Sequence, residues 1–136
     1  MKRTYLFIIV MMALVMNFSC SAQPENNDRN TAVSETGDVE VFYFHYTRRC
    51  VTCQAVETVA KEAIVEMYGD RVPFASYNLE EPDGEQKARE LGVSGQTLLI
   101  VNGNQKINIT NEGFMYVRSD PEKFKQIISD NITPLL

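Results

Sequence analysis

The chain has 136 residues, is 44% hydrophobic and 23% charged, and carries a formal net charge of −5. That length gives room for one domain and an appendage. The acidic balance excludes a general nucleic-acid binder, which needs clustered Lys and Arg to neutralise phosphates.

Residues 1–20 read as a signal peptide. Lys2 and Arg3 give a positive start, and residues 6–16 (LFIIVMMALVM) form an unbroken apolar run. The run is shorter than a membrane span and the length of a signal h-region. Ser19 then precedes Cys20. A small residue before a cysteine at this point resembles a bacterial lipoprotein signal, which implies that Cys20 becomes a lipidated N-terminus. Asn17 stands where that pattern usually carries Leu; an ordinary cleaved signal ending at residues 19–22 is the alternative. On either reading the domain is exported to a compartment where a dithiol can be oxidised. The expected location is the cell envelope, lipid-anchored to the membrane and facing the periplasm or exterior. Residues 21–38 (SAQPENNDRNTAVSETGD) lack apolar periodicity and are expected to form a flexible linker.

Folding therefore starts at residue 39, and the domain is expected to span 39–136. Residues 39–46 (VEVFYFHY) are β-branched and aromatic and predict a strand covered on both faces. Val56, Val59, Ala60, Ala63, Ile64 and Met67 recur at helical spacing, predicting a helix that starts at residues 50–53 and stops at Gly69. Residues 72–79 read as a second strand. Residues 83–86 (DGEQ) have a capping-box pattern opening a short helix to Leu91, with Gly92 to close it. Residues 97–101 (TLLIV) predict a third strand. The Asn102-Gly103 pair marks a hairpin turn, and residues 105–110 alternate as the return strand. Asp120-Pro121 places a cap before a first-turn proline, and Phe124, Ile127 and Ile128 give the last helix its buried stripe. The predicted order is βαβαββα: an α/β domain with a mixed central sheet and helices on both faces.

The first strand leads into Cys50-Val51-Thr52-Cys53, and residues 91–99 (LGVSGQTLL) precede and open the third strand. A CxxC at a first strand-to-helix junction, followed by a segment like "G-V-x-x-x-P-T-L", resembles the thioredoxin-like superfamily along residues 39–132. The resemblance implies a thioredoxin fold with a redox-active CxxC faced by the residues around Gln96 and Thr97. Three positions depart from it. Gln96 stands where the family has a cis-proline, which predicts a trans bond or a strained cis one, since a non-Pro cis bond costs roughly 2.5–4 kcal/mol. Phe44 replaces the buried acid that thioredoxin itself uses to move protons to the resolving cysteine. Neither Trp nor Gly-Pro accompanies the cysteines. The run HYTRRCVTC, behind a lipoprotein-like leader, is also similar to a bacterial thioredoxin-like family named as a nitrophenyl compound nitroreductase subunit and associated with arsenic-type gene clusters. The chain has no flavin fingerprint, so that similarity implies a redox or accessory subunit of a partner reductase.

The chemistry of the motif follows from its place at a helix start. Cysteines three apart lie about one turn apart, so their sulfurs can meet. Unsatisfied N–H groups and the positive dipole end favour a thiolate at the first cysteine; such sites lower a thiol pKa from about 8.5 to about 3.5–7.5. Arg48 and Arg49 add to this where they turn toward Cys50. Cys50 is therefore the expected nucleophile and Cys53 the resolving thiol of a thiol–disulfide oxidoreductase. That chemistry needs no cofactor beyond the redox-active disulfide, and its partner is a protein dithiol or disulfide. Two bland or competing readings stand beside it. A structural disulfide on so short a loop removes little chain entropy. A soft metal or metalloid could take the thiolates of Cys50 and Cys53, with His45 as a third ligand. His45 otherwise reads as a proton shuttle or a half-buried strand-end residue. Tyr43, Phe44 and Tyr46 read as sheet core and rim.

Mass spectrometry of the mature chain is expected to show an acyl-modified N-terminal Cys20. Cys20→Ser should then move the protein from the membrane to the soluble fraction. A mature N-terminus beyond Cys20 is the contrary outcome.

Overall fold

The computed structural model describes residues 38–136. The expectations for the signal peptide at 1–20, for lipidation of Cys20 and for all but the last residue of the linker at 21–38 lie outside the described residues. Among the described residues no helix is long and apolar enough to cross a membrane.

The first strand, β1 (Val39–His45), has buried side chains at every position but Glu40 and the half-buried His45. Its neighbours explain this. The sheet runs β2–β1–β3–β4, with β2 at Phe74–Asn78, β3 at Thr97–Asn102 and β4 at Gln105–Asn108. β1 pairs parallel with β2 and antiparallel with β3, and β3 pairs antiparallel with β4. The register sets Phe44 opposite Thr97 and Tyr43 opposite Leu98. Successive side chains of a strand point to opposite faces. Val39, Val41 and Tyr43 thus join Leu98 and Ile100 in one core, while Phe42 and Phe44 join Leu99 and Val101 in another.

Helices cover both faces. The long helix α1 (Val51–Tyr68) turns Val56, Ala60, Ala63 and Ile64 into the first core, the i, i+4, i+7, i+8 stripe of an amphipathic helix, with Cys53 buried one turn before them. Its end is set by Gly69, which takes φ 57 before a single 3₁₀ turn at Gly69–Arg71. The opposite face is covered by α2 (Pro82–Leu91), whose Ala88 packs with Phe42, Phe44 and Leu99. Two further helices, α3 (Thr110–Tyr116) and α4 (Pro121–Ile132), complete the first layer through Val117, Phe124, Ile128 and Ile132. The Asp120 cap forms as the sequence predicts: its side chain accepts from the Lys123 N–H at 3.1 Å.

Three local expectations are corrected. The capping box at Asp83 does not form. α2 starts earlier because Pro82, with φ preset for helix, takes the first helical position behind Glu81, which makes no side-chain cap bond. The return strand stops at Asn108 rather than Thr110. Asn108 Oδ1 accepts from the Thr110 N–H and hydroxyl, and this side-chain turn opens α3 instead. A helix at Thr110–Tyr116 thus stands where none was predicted, and the order is βαβαββαα rather than βαβαββα. The hairpin turn itself is centred on Gly103 and Asn104, with positive φ at Gly103 alone.

Gly84 fixes how closely α2 approaches the end of β2. A Cβ built there would stand 1.9 Å from the backbone oxygen of Asn78. In a helix Gly→Ala ordinarily stabilises by roughly 0.5–1 kcal/mol. Here Gly84→Ala is expected to destabilise by about 3 kcal/mol, the upper end of overpacking. A lower urea midpoint for Gly84→Ala, against an unchanged one, checks the close approach.

Candidate functional site

The site begins where β1 ends. After His45 the chain crosses four residues and enters α1, with Cys50 as the cap residue and Cys53 in the first turn. That loop is tied down from β2. Leu79 N–H donates to the His45 carbonyl at 2.7 Å, and the Thr47 N–H donates to Glu80 Oε2 at 2.7 Å. Asn78 Nδ2 donates to the Thr47 hydroxyl at 3.0 Å. Hydrogen bonding from Thr47, through its hydroxyl and its backbone N–H, holds the Glu80 carboxyl below its usual range.

Cys50 and Cys53 are joined as a disulfide with their Cα atoms 5.1 Å apart. Cys50 is exposed, whereas Cys53 is 8% exposed. The Cys50 sulfur caps the helix: it accepts the Cys53 N–H at 3.1 Å. No acidic residue lies in the first turn of α1 to offset the positive helix end. A thiolate at Cys50 would receive the same N–H more strongly than a neutral thiol, because charge-assisted hydrogen bonds are the stronger kind. One sulfur is therefore presented to solvent at a helix start with an N–H aimed at it, and the second is nearly covered.

A CxxC in the first turn of α1, behind the central strand of a β2–β1–β3–β4 sheet, is the arrangement the sequence resemblance implied. The fold is thioredoxin-like. Similar solved structures include thioredoxin O2 from Arabidopsis thaliana in the oxidized state, at 24% sequence identity and TM-score 0.48, covering 74% of this chain and 84% of that one. A Malassezia sympodialis thioredoxin matches at 28% identity and TM-score 0.47, covering 69% of this chain and 76% of that one. The structure of a malarial protein matches at 22% identity and TM-score 0.41 over 52% of this chain and 75% of that one. No protein-family model matches the sequence, and no curated protein matches it.

The departures from the thioredoxin pattern each have a structural counterpart. There is no cis peptide bond among the described residues, so Gln96 follows an ordinary trans peptide. Its side chain is half-buried, and its Nε2 donates to the Tyr43 hydroxyl at 2.5 Å. Phe44 is fully buried and stacks on Tyr77 with ring centroids 5.7 Å apart. The position of the missing acid is thus filled by hydrocarbon and holds no proton carrier. Thr97, 8% exposed, donates its hydroxyl to the Gly95 carbonyl at 2.9 Å and shapes the loop that carries Gln96.

The flanking charges are arranged differently from the sequence expectation. Arg49 pairs with Glu57 rather than standing alone beside Cys50. Their side chains keep 26% and 22% exposure, so the pair is partly screened. A guanidinium neutralised in this way contributes less to a neighbouring thiolate than an unpaired one. Arg48 is exposed. His45 places Nδ1 3.0 Å from the Tyr46 carbonyl, which can only accept, so Nδ1 is the donor. Its ring lies 6.0 Å from that of Tyr43. Among the described residues no three His, Cys, Asp or Glu side chains gather into a metal-holding group. Cys50, Cys53 and His45, the alternative ligand set for a metal or metalloid, form no such group in this disulfide form, and the His45 ring is turned to the Tyr46 carbonyl.

Two site residues escaped the sequence reading. Tyr43 is fully buried, yet its hydroxyl donates to the Cys53 carbonyl at 2.8 Å. A tyrosine between two phenylalanines in a buried strand needs a partner for its hydroxyl, and that requirement was the available signal. Glu57 stands four residues after Cys53 on α1, the spacing that sets side chains on one helix face. Burial, followed by the nearby Glu57 charge, outweighs the Gln96 bond and Arg49 and raises the Tyr43 pKa above 10.0. The phenol therefore stays a donor throughout the physiological range.

In reduced protein carrying Cys53→Ser, thiolate absorbance of Cys50 should titrate below the ordinary thiol value. In reduced wild type, Cys50 should react with iodoacetamide well before Cys53. Equal labelling of the two would contradict the exposure difference.

Proposed function

We propose that this protein is a thiol–disulfide oxidoreductase acting outside the cytoplasm from a lipid anchor at Cys20. The observation that carries the redox reading is the asymmetry of the pair. Cys50 is exposed and receives the Cys53 N–H at 3.1 Å, while Cys53 is nearly covered. A structural bridge gains nothing from such an asymmetry. A dithiol that exchanges with a partner needs one sulfur to attack and one to wait.

The reaction balances as two displacements. The Cys50 thiolate attacks one sulfur of a partner disulfide, forming a mixed disulfide and releasing the partner's other sulfur as a thiolate. Cys53 then loses its proton to water or to the released thiolate and attacks the Cys50 sulfur. The bond from Cys50 to the partner breaks, and the Cys50–Cys53 disulfide closes. Two electrons pass from this dithiol to the partner, and the same steps in reverse oxidise a partner dithiol. Next to Cys50 in the chain Val51 is 68% exposed, and Tyr46 at the start of the same loop is 43% exposed. Exposed apolar side chains of this kind suit a protein segment better than a small charged thiol. The export and lipid anchoring are supported by the leader sequence and by the polar linker that follows it.

Cys53→Ala should accumulate a mixed disulfide between Cys50 and its partner, visible as a reducible higher-mass band. Cys50→Ala should form none and lose exchange with a model disulfide. Undiminished exchange in both variants would overturn the assignment.

A further inference from the structure

The residue in the proline position is bonded to the back of the dithiol, through a tyrosine. Gln96 Nε2 donates to the Tyr43 hydroxyl at 2.5 Å, and that hydroxyl donates to the Cys53 carbonyl at 2.8 Å. Three elements meet in this chain: the loop before β3, the central strand β1 and the first turn of α1. The geometry points to Tyr43 and Gln96 as positioning residues for the dithiol, holding the Cys53 backbone where its N–H meets the Cys50 sulfur. This deepens the redox reading above and rests on it.

The direction of each bond follows from which atoms can donate. An amide nitrogen can only donate, so the Tyr43 oxygen must accept from Gln96. A backbone carbonyl can only accept, so the single Tyr43 proton goes to Cys53. Gln96 thereby fixes the rotor of the Tyr43 hydroxyl toward the helix. The anchor is itself packed: the Tyr43 ring is fully buried in the larger core with Val41, Leu98 and residues of the helices. Helix geometry already directs the Glu57 N–H to the Cys53 carbonyl, and the tyrosine proton occupies its second lone pair. Cys53 is thus held on both sides, its carbonyl by Tyr43 and its N–H by the Cys50 sulfur at 3.1 Å. If the first turn slips on the sheet, the N–H leaves the sulfur. A Cys50 thiolate then loses the donor that favours it.

The raised Tyr43 pKa fits the role, because a phenolate could not donate to Cys53. The arrangement also gives Gln96 a task that proline cannot perform. Proline has no side-chain donor, so Gln96→Pro would release the Tyr43 hydroxyl.

The test uses Tyr43→Phe, Gln96→Leu and the double variant, each alone and combined with Cys53→Ser, which keeps the backbone at 53. The readout is the thiolate midpoint of Cys50 in the combined proteins, with thermal melting as a fold control. Each change should raise the midpoint by about half a unit, read as a roughly threefold slower alkylation below the midpoint. The double variant should add little to either single change, because both break one chain of bonds. Midpoints equal to the parent's in folded variants would overturn the inference, as would fully additive shifts. Should Tyr43→Phe fail to fold, Gln96→Leu alone decides. Failure of the redox reading registers separately, as absent exchange with a model disulfide by the protein with both cysteines intact. The thiolate midpoint is measured whatever that outcome.

Discussion

The central strand β1 is held on all four sides. Its backbone groups are taken up by β2 along one edge and by β3 along the other. Its side chains are covered by α1, α3 and α4 on one face and by α2 on the opposite face. Seven residues so enclosed have almost no freedom, because every buried N–H and C=O must find a partner and every side chain must fit a dense interior. A strand end fixed in this way is a reference point. The loop that leaves it, bound to Asn78 and Glu80, delivers α1 with its cysteines at a defined place.

The chemistry of the dithiol follows from that placement more than from local charge. The flanking arginines promise a strong positive field, but Arg49 is spent on Glu57. What remains at Cys50 is a helix start without an acidic residue in its first turn, and one N–H aimed at the sulfur. Both are properties of backbone direction. The contacts that hold this backbone, Tyr43 to the Cys53 carbonyl and Gln96 to Tyr43, come from the sheet and from the loop before β3.

The two core clusters show why the departures from the thioredoxin pattern are compatible with its fold. Phe44 in place of an acid completes the face shared with Phe42, Tyr77 and Ala88, so the change removes a buried charge and adds apolar packing. On the other face Tyr43 brings a hydroxyl into an apolar layer. Its burial is tolerated because the hydroxyl is saturated by one donor and one acceptor. The buried hydroxyl of Tyr43 thus lies on the face of β1 opposite Phe44, one residue away along the strand.

Much of this was legible in the sequence. The doubly covered β1, the helical stripe of α1, the Gly69 and Gly92 stops and the Asp120 cap rest on local patterns, and local patterns decide them. The CxxC position at a strand-to-helix junction was also legible there, because the strand and helix patterns on either side place it and the spacing sets its cysteines about one turn apart. Local patterns failed where two of them competed. The apparent capping box at Asp83 yielded to Pro82, and the alternating residues after Gln105 yielded to the Asn108 side-chain turn that begins α3. The partners of the residues behind the dithiol lay beyond the sequence. Tyr43, Cys53 and Gln96 are separated by ten and by more than forty residues, and only strand register brings Tyr43 level with Leu98, two residues past Gln96. Which donor reaches which acceptor across such distances depends on how sheet and helix pack. For that physical reason the sequence named the dithiol, while the tertiary structure chose what holds it.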